Sequence, residues 1–174
     1  MPDSELSERD LILSTISAFL LEFESMCEHI RRCIGTILIN NGLANYEFAN
    51  ILLDRINALA LIKKFCKVLY EQHKSHPNIE TIVKDIRKRL VEANDKRNII
   101  VHSQWMLNYD PKGKHIAIEY KYRPGPYNTI EHEYTVNSVN ELTDKIRALN
   151  FIIMNLWTPL DSLELVNEEV RIKC

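Results

Sequence analysis

The side chains best suited to chemistry are concentrated in one hexapeptide, RNIIVH, residues 97–102. Arg97 supplies a planar fork of N–H donors that grips oxyanions. His102 supplies an imidazole, the side chain that exchanges protons near neutral pH. Asn98 adds an amide that can donate and accept. The position of the arginine is unusual. Ile79, Val83, Ile86, Leu90 and Ala93 recur at helical spacing. With Ile79 at zero and about 100° per residue, Leu90 falls at roughly 20°, Ala93 at about −40° and Arg97 at about 0°. Arg97 therefore occupies the centre of an apolar stripe. Asn98 at about 100° and His102 at about 140° share the adjoining flank. A buried guanidinium without a partner costs several kcal/mol, so Arg97 needs a partner. Two structural accounts are open. The helix can lose its core contact near its end, leaving Arg97 at the rim. Or Arg97 can pair with Glu24, Glu28 or Asp54 on the preceding helices. His102, near a helix end, can likewise act as a cap.

The elements that must position these residues follow from periodicity. Ile12, Ile16, Phe19, Phe23, Met26, Ile30, Cys33 and Ile37 alternate in steps of four and three, which predicts one long helix from about Ser7 to Ile39. NNGLAN ends it, with Gly42 suited to a C-terminal cap. A second helix is predicted from about Tyr46 to His73, with an apolar face broad enough to be covered on two sides. KSHPN is a loop, and Asn78 is placed to cap the third helix. Alternation then replaces the helical period. Trp105, Leu107 and Tyr109, then Ile116, Ile118, Tyr120 and Tyr122, then Ile130, His132, Tyr134 and Val136 predict three short antiparallel strands. Leu142, Ile146, Leu149, Ile153 and Leu156 return to helical spacing. Leu160, Leu163 and Val170 continue it past a kink or fresh start at Thr158–Pro159. The fold class expected is an all-α up-down bundle of four to five helices. A small β meander at about 104–137 is inserted before the last helix, and residues 1–174 form a single domain.

Composition adds bounds. The chain of 174 residues is 45% hydrophobic and 26% charged, which suits a soluble domain with its own core. Cys27, Cys33, Cys66 and Cys174 show no CxxC spacing, which favours a reducing compartment over a disulfide framework. MPDSELSERD is too acidic for a signal or transit peptide, and no apolar run approaches the roughly 20 residues of a membrane span. A cytoplasmic protein with no membrane association is expected. Net charge is −2, but residues 1–62 carry −5 while residues 63–97 carry +5. Within that positive belt, Lys84, Arg87, Lys88 and Lys96 are candidates to attract a phosphate backbone. A solvated helix face is the plainer account of the same charges. His73 and His76 lack a neighbouring cysteine or carboxylate cluster, so no metal site is expected, and no phosphate-binding glycine loop is present. Tyr120, Tyr122, Tyr127 and Tyr134, with Lys112, Lys114, Lys121 and Arg123, can serve either as strand packing or as a stacking platform for a single strand.

RNIIVH resembles the R-x4-6-H motif of the HEPN (higher eukaryotes and prokaryotes nucleotide-binding) family. Arg97 matches its arginine, His102 its histidine, and Asn98 the polar residue that often follows the arginine. In that family the motif lies late in a long helix of a four- or five-helix bundle. The resemblance implies a metal-independent endoribonuclease of toxin–antitoxin or anti-phage systems, with RNA as substrate and no cofactor. One helix points Arg97 and His102 roughly 140° apart, which suits a two-fold interface, so a homodimer is expected, with an antitoxin or other regulatory protein as a further partner. On that reading His102 moves the protons of 2′-hydroxyl attack, Arg97 holds the phosphate, and Asn98 orients either group or binds a phosphate oxygen. The tyrosine that one toxin group carries two residues after the histidine, where AMP is attached, is Gln104 here. Other members of the family are non-catalytic nucleotide- or RNA-binding proteins and protein-interaction scaffolds, which is the alternative function. An antitoxin or adaptor that binds protein through its helices is a third.

Overall fold

In the computed structural model, residues 7–107, 113–121 and 128–156 are described, as is the backbone of 108–110, 163–166 and 169–172. The order of elements is α1 (Glu8–Asn40), α2 (Tyr46–Leu53), α3 (Ala58–Gln72) and α4 (Ile79–His102). There follow β1 (Gln104–Asp110), β2 (Lys114–Lys121), β3 (Asn128–Tyr134), α5 (Val136–Asn155), β4 (Leu163–Val166) and β5 (Glu169–Ile172). The protein is mostly helical, with a three-stranded antiparallel sheet between α4 and α5.

Helix α1 is the axis of the assembly. Ser7 starts it by accepting a hydrogen bond from the Asp10 N–H, and Glu8 and Asp10 put negative charge at the positive end of the helix. Gly42, at φ 98°, lets the chain leave in a left-handed conformation. Between these ends Phe19, Phe23, Met26 and Ile30 are buried among Leu61, Ile62, Phe65 and Leu69 of α3, Ile82, Ile86 and Leu90 of α4, and Ile146, Leu149 and Ile153 of α5. Each such side chain contributes about 1.5–3 kcal/mol through removal from water.

Polar contacts give the helix directions. Asn41 Nδ2 donates to Gln72 Oε1 at 2.7 Å, so the ends of α1 and α3 lie side by side. Arg147 reaches Glu22 at 2.9 Å and His29 Nδ1 lies 2.6 Å from Asn150 Oδ1, so α1 and α5 also run in parallel. Helix α4 returns the other way, and α2 is the short return between α1 and α3. Consecutive helices thus alternate in direction.

Two expectations are corrected, and the sheet settles which of its faces joins the core. The predicted second helix is two helices. It breaks at Asp54–Asn57, where Arg55 has φ 53° and the Asn57 side chain caps α3 by accepting from the Ala60 N–H. The broad apolar face is consequently split. Helix α2 buries Ala49 and Leu53 and turns Phe48, Ile51 and Leu52 outward, at 52%, 71% and 58% exposure. In the sheet, Trp105 pairs with Ala117 and Ala117 with His132, so these share a face. The face of β2 that joins the core is that of Ala117, beside Tyr134, and not that of Ile116, Ile118 and Tyr120. Trp105 and Tyr134 pack there with ring centroids 5.3 Å apart. Lastly, the helical pattern predicted through Leu163 and Val170 is instead an antiparallel pair, β4 with β5, Leu163 opposite Ile172. Alternation of apolar and polar residues in LELV and EVRI suits four-residue strands better than a helical turn. Leu160, Thr158 and Pro159 lie outside the described residues.

The break before α3 is testable. Asn57→Ala removes the cap and should cost about 1 kcal/mol, within the range of about 0.5–2 kcal/mol for such caps, read as a lower urea midpoint at unchanged slope. An unchanged midpoint would show that the cap contributes nothing.

Candidate functional site

The candidate site lies in the last two turns of α4. Asn78 precedes this helix but makes no side-chain cap bond, contrary to expectation, because its backbone (φ −107°, ψ 9°) is not the extended form that aims a capping side chain. The far end is tightly defined. Ser103 N–H donates to Ile99 O at 3.0 Å, and the next residue already begins β1. Trp105 Nε1 donates to Ile100 O at 2.9 Å, satisfying a carbonyl that the helix end leaves open. Strand β1 therefore leaves α4 at a set angle, and His102 stands exposed in the final turn.

Arg97 is where the stripe places it. Leu90, Asn94 and Ile100 are buried around it on α4, so the helix has not left the core before Arg97. The guanidinium lies over the Phe23 ring, with Cζ 5.9 Å from the ring centroid. Of the three carboxylates weighed, Glu24 is the partner: Nη2 lies 3.4 Å from Glu24 Oε1. Nη1 donates to Asn98 Oδ1, also at 3.4 Å. Both distances are long for a charged group, whose hydrogen bonds usually run at about 2.7–2.9 Å. Nε is buried and makes no hydrogen bond. The Arg97 side chain is 29% exposed and that of Glu24 59%, so water screens the pair and limits it to about 0–1 kcal/mol. Arg97 is thus stacked and positioned but weakly bonded, with N–H groups on both terminal nitrogens left over for an anion.

The three residues of the motif are not all brought together. Asn98 joins Arg97. His102 forms no hydrogen bond or ion pair with either, and it lies about 140° around the helix from Arg97 and about 7.5 Å along it. Periodicity exposed the arginine and its neighbours. The ring of Phe23 beneath Arg97, and the indole that anchors the helix end, went unseen because both contacts cross between elements.

The predicted basic residues do share a surface. Lys84, Arg87, Lys88 and Lys96 line one open depression along α4 with Val91, Asp95 and Ile99. Lys96 also borders a cavity of about 300 Å³ against α5, beside Leu142 and Lys145. The meander offers less than its composition suggested. Tyr134 is buried, Tyr120 donates to Gln104 Oε1 at 2.8 Å, and Lys114 reaches Glu133 at 2.7 Å. Tyr122, Tyr127, Lys112 and Arg123 lie outside the described residues. Burial holds the thiols of Cys27, Cys33 and Cys66 at about 11, so they are poor nucleophiles. His73 closes α3, and the His76 ring accepts from the Asn78 N–H at 3.2 Å. Burial, and then the charge of His76, lowers the pKa of His73.

If Arg97 is held this loosely, Arg97→Met should keep the unfolding free energy within about 1 kcal/mol of wild type, because an apolar chain of similar length fills the same space over Phe23. A loss of about 3 kcal/mol or more in urea unfolding would instead mark Arg97 as a structural support. Comparison with family models, curated proteins and solved structures finds no match for this chain.

Proposed function

We propose that this protein is a metal-independent endoribonuclease of HEPN type, acting in a toxin–antitoxin or anti-phage setting. The observation that supports the reading best is the state of Arg97. A guanidinium lies on the core stripe, stacked on Phe23, with a buried Nε that makes no hydrogen bond and only long contacts to Glu24 and Asn98. An exposed imidazole, His102, follows five residues later.

In the proposed reaction His102 takes the proton of a ribose 2′-hydroxyl as that oxygen attacks the adjacent phosphorus. The bond to the 5′-oxygen of the next nucleotide breaks, and an imidazolium protonates the departing oxygen. The products are a 2′,3′-cyclic phosphate and a 5′-hydroxyl, so no water or metal is consumed. Arg97 binds the non-bridging oxygens and stabilises their growing charge, and Asn98 holds Arg97 in place. DNA lacks the attacking hydroxyl and is not a substrate. Because one helix points Arg97 and His102 in different directions, the site is completed by a two-fold homodimer whose RNIIVH segments face a shared cleft. A second reading is a non-catalytic HEPN-like RNA-binding or protein-interaction scaffold. The outward Phe48, Ile51 and Leu52 of α2 favour it, as a surface for an antitoxin or other regulatory protein.

Two outcomes are expected. His102→Ala should lower RNA cleavage by about 10²–10⁴-fold and Arg97→Ala by about 10²–10³-fold, with EDTA without effect and Arg97→Lys rescuing only in part. Cleavage that survives His102→Ala would move the scaffold reading ahead. Sedimentation at micromolar concentration should give a dimer, whereas a monomer that still cleaves would remove the shared cleft.

A further inference from the structure

We propose that the groove between α3 and α4 docks a single strand of RNA and leads it along α4 toward His102. The proposal rests on RNA as the ligand, and it adds residues of α3 to the site. The groove encloses about 600 Å³ and is lined by Lys63, Lys67 and Tyr70 of α3 and Lys84 and Arg87 of α4, with Cys66 and Val83 on its floor. The two helices are antiparallel neighbours joined by the turn at 73–78. Counting back from that turn, Lys67 comes level with Lys84, and Lys63 with Arg87 and Lys88. Cations therefore face each other across a narrow apolar floor.

Such an arrangement costs energy by like-charge repulsion unless an anion lies between the walls. Elsewhere most of the described arginines sit on a carboxylate. Arg31 and Arg32 sit on Glu28, Arg55 on Asp54, Arg89 on Asp85 and Arg147 on Glu22. Among the described residues, Lys63, Lys67, Lys84 and Arg87 form no ion pair. The two acids of the groove, Glu71 and Glu80, flank the turn and close one end only. The open end continues along α4. At about 100° per residue, Lys84, Arg87, Lys88, Asn98 and His102 fall within one flank about 100° wide, and Lys84 to His102 spans about 27 Å. Tyr70 is 41% exposed in the groove and offers a ring face on which any base can stack. Packed helices lie about 8–10 Å apart, so the groove admits one strand between its walls, while a duplex touches only the rim.

The test uses the full chain with His102→Ala, so that bound RNA stays intact, and a fluorescent single-stranded RNA followed by anisotropy. Lys63→Glu with Lys67→Glu should weaken binding at least tenfold and reduce the salt slope by about 1.4, the value for two single-strand phosphate contacts. Tyr70→Leu should weaken binding about fivefold or more, and Tyr70→Phe should restore it. Lys64→Glu with Lys74→Glu, which changes net charge equally outside the groove lining, should weaken binding less than threefold. Equal losses in the two double variants would overturn the groove in favour of a general positive field. Equally tight binding of an RNA duplex, or capture by phosphatidylserine vesicles with the same dependence on Lys63 and Lys67, would overturn it too. The groove and the catalytic reading fail separately. Cleavage that depends on His102 but not on Lys63 and Lys67 removes the groove alone. Binding that depends on the groove, in a wild-type protein that cuts no RNA, keeps the groove and removes the catalysis.

Discussion

The apolar seam of α1, and Phe23 above all, is the feature on which the remaining structure depends. Phe19, Phe23, Met26 and Ile30 present one continuous face, and α3, α4 and α5 each bury their own stripe against it or beside it. Phe23 has a second role. Its ring underlies the Arg97 guanidinium, and the next residue, Glu24, supplies the carboxylate. Two adjacent positions on α1 thus receive both the apolar and the charged part of one side chain from α4. The same packing that closes the core also aims the arginine.

Stacking explains how a charge can lie on a core stripe without a strong ion pair. A guanidinium is weakly hydrated and flat, so an aromatic face accepts it at little cost. The side chain as a whole is 29% exposed while Nε is covered. That division leaves the charge partly exposed yet fixed in position.

The meander matters for anchorage more than for chemistry. Helices α4 and α5 run in opposite directions, so the end of α4 and the start of α5 lie at the same end of the bundle. Strands β1 to β3 bridge that end, leaving α4 after His102 and entering α5 through the capping box of Thr135 and Ser138. Trp105 ties β1 both to the end of α4, through Ile100 O, and to Tyr134 at the end of β3, just before α5. The last turn of α4, which displays His102, is held by that tie.

Much of this was legible in the chain itself. The long seam of α1, the stripe of α4 with Arg97 at its centre, the change to alternation after His102, and the return to helix at Leu142 are all local patterns. Local geometry fixes them wherever the partner lies. Tertiary structure decided what depended on the partner. The break at Asp54–Asn57 is held by Arg55 at φ 53° and by the Asn57 cap, and the apolar spacing of Leu52, Ile56 and Leu59 runs across it without marking it. The side of β2 that faces the core was ambiguous, since Ile116 and Ala117 are both buried and only pairing with Trp105 and His132 orients them. The choice of Glu24 over Glu28 and Asp54 followed from the stagger of α4 against α1. Spacing along one chain sets angles about one helix axis. It cannot set the offset between two helices, and that offset decides which side chains meet.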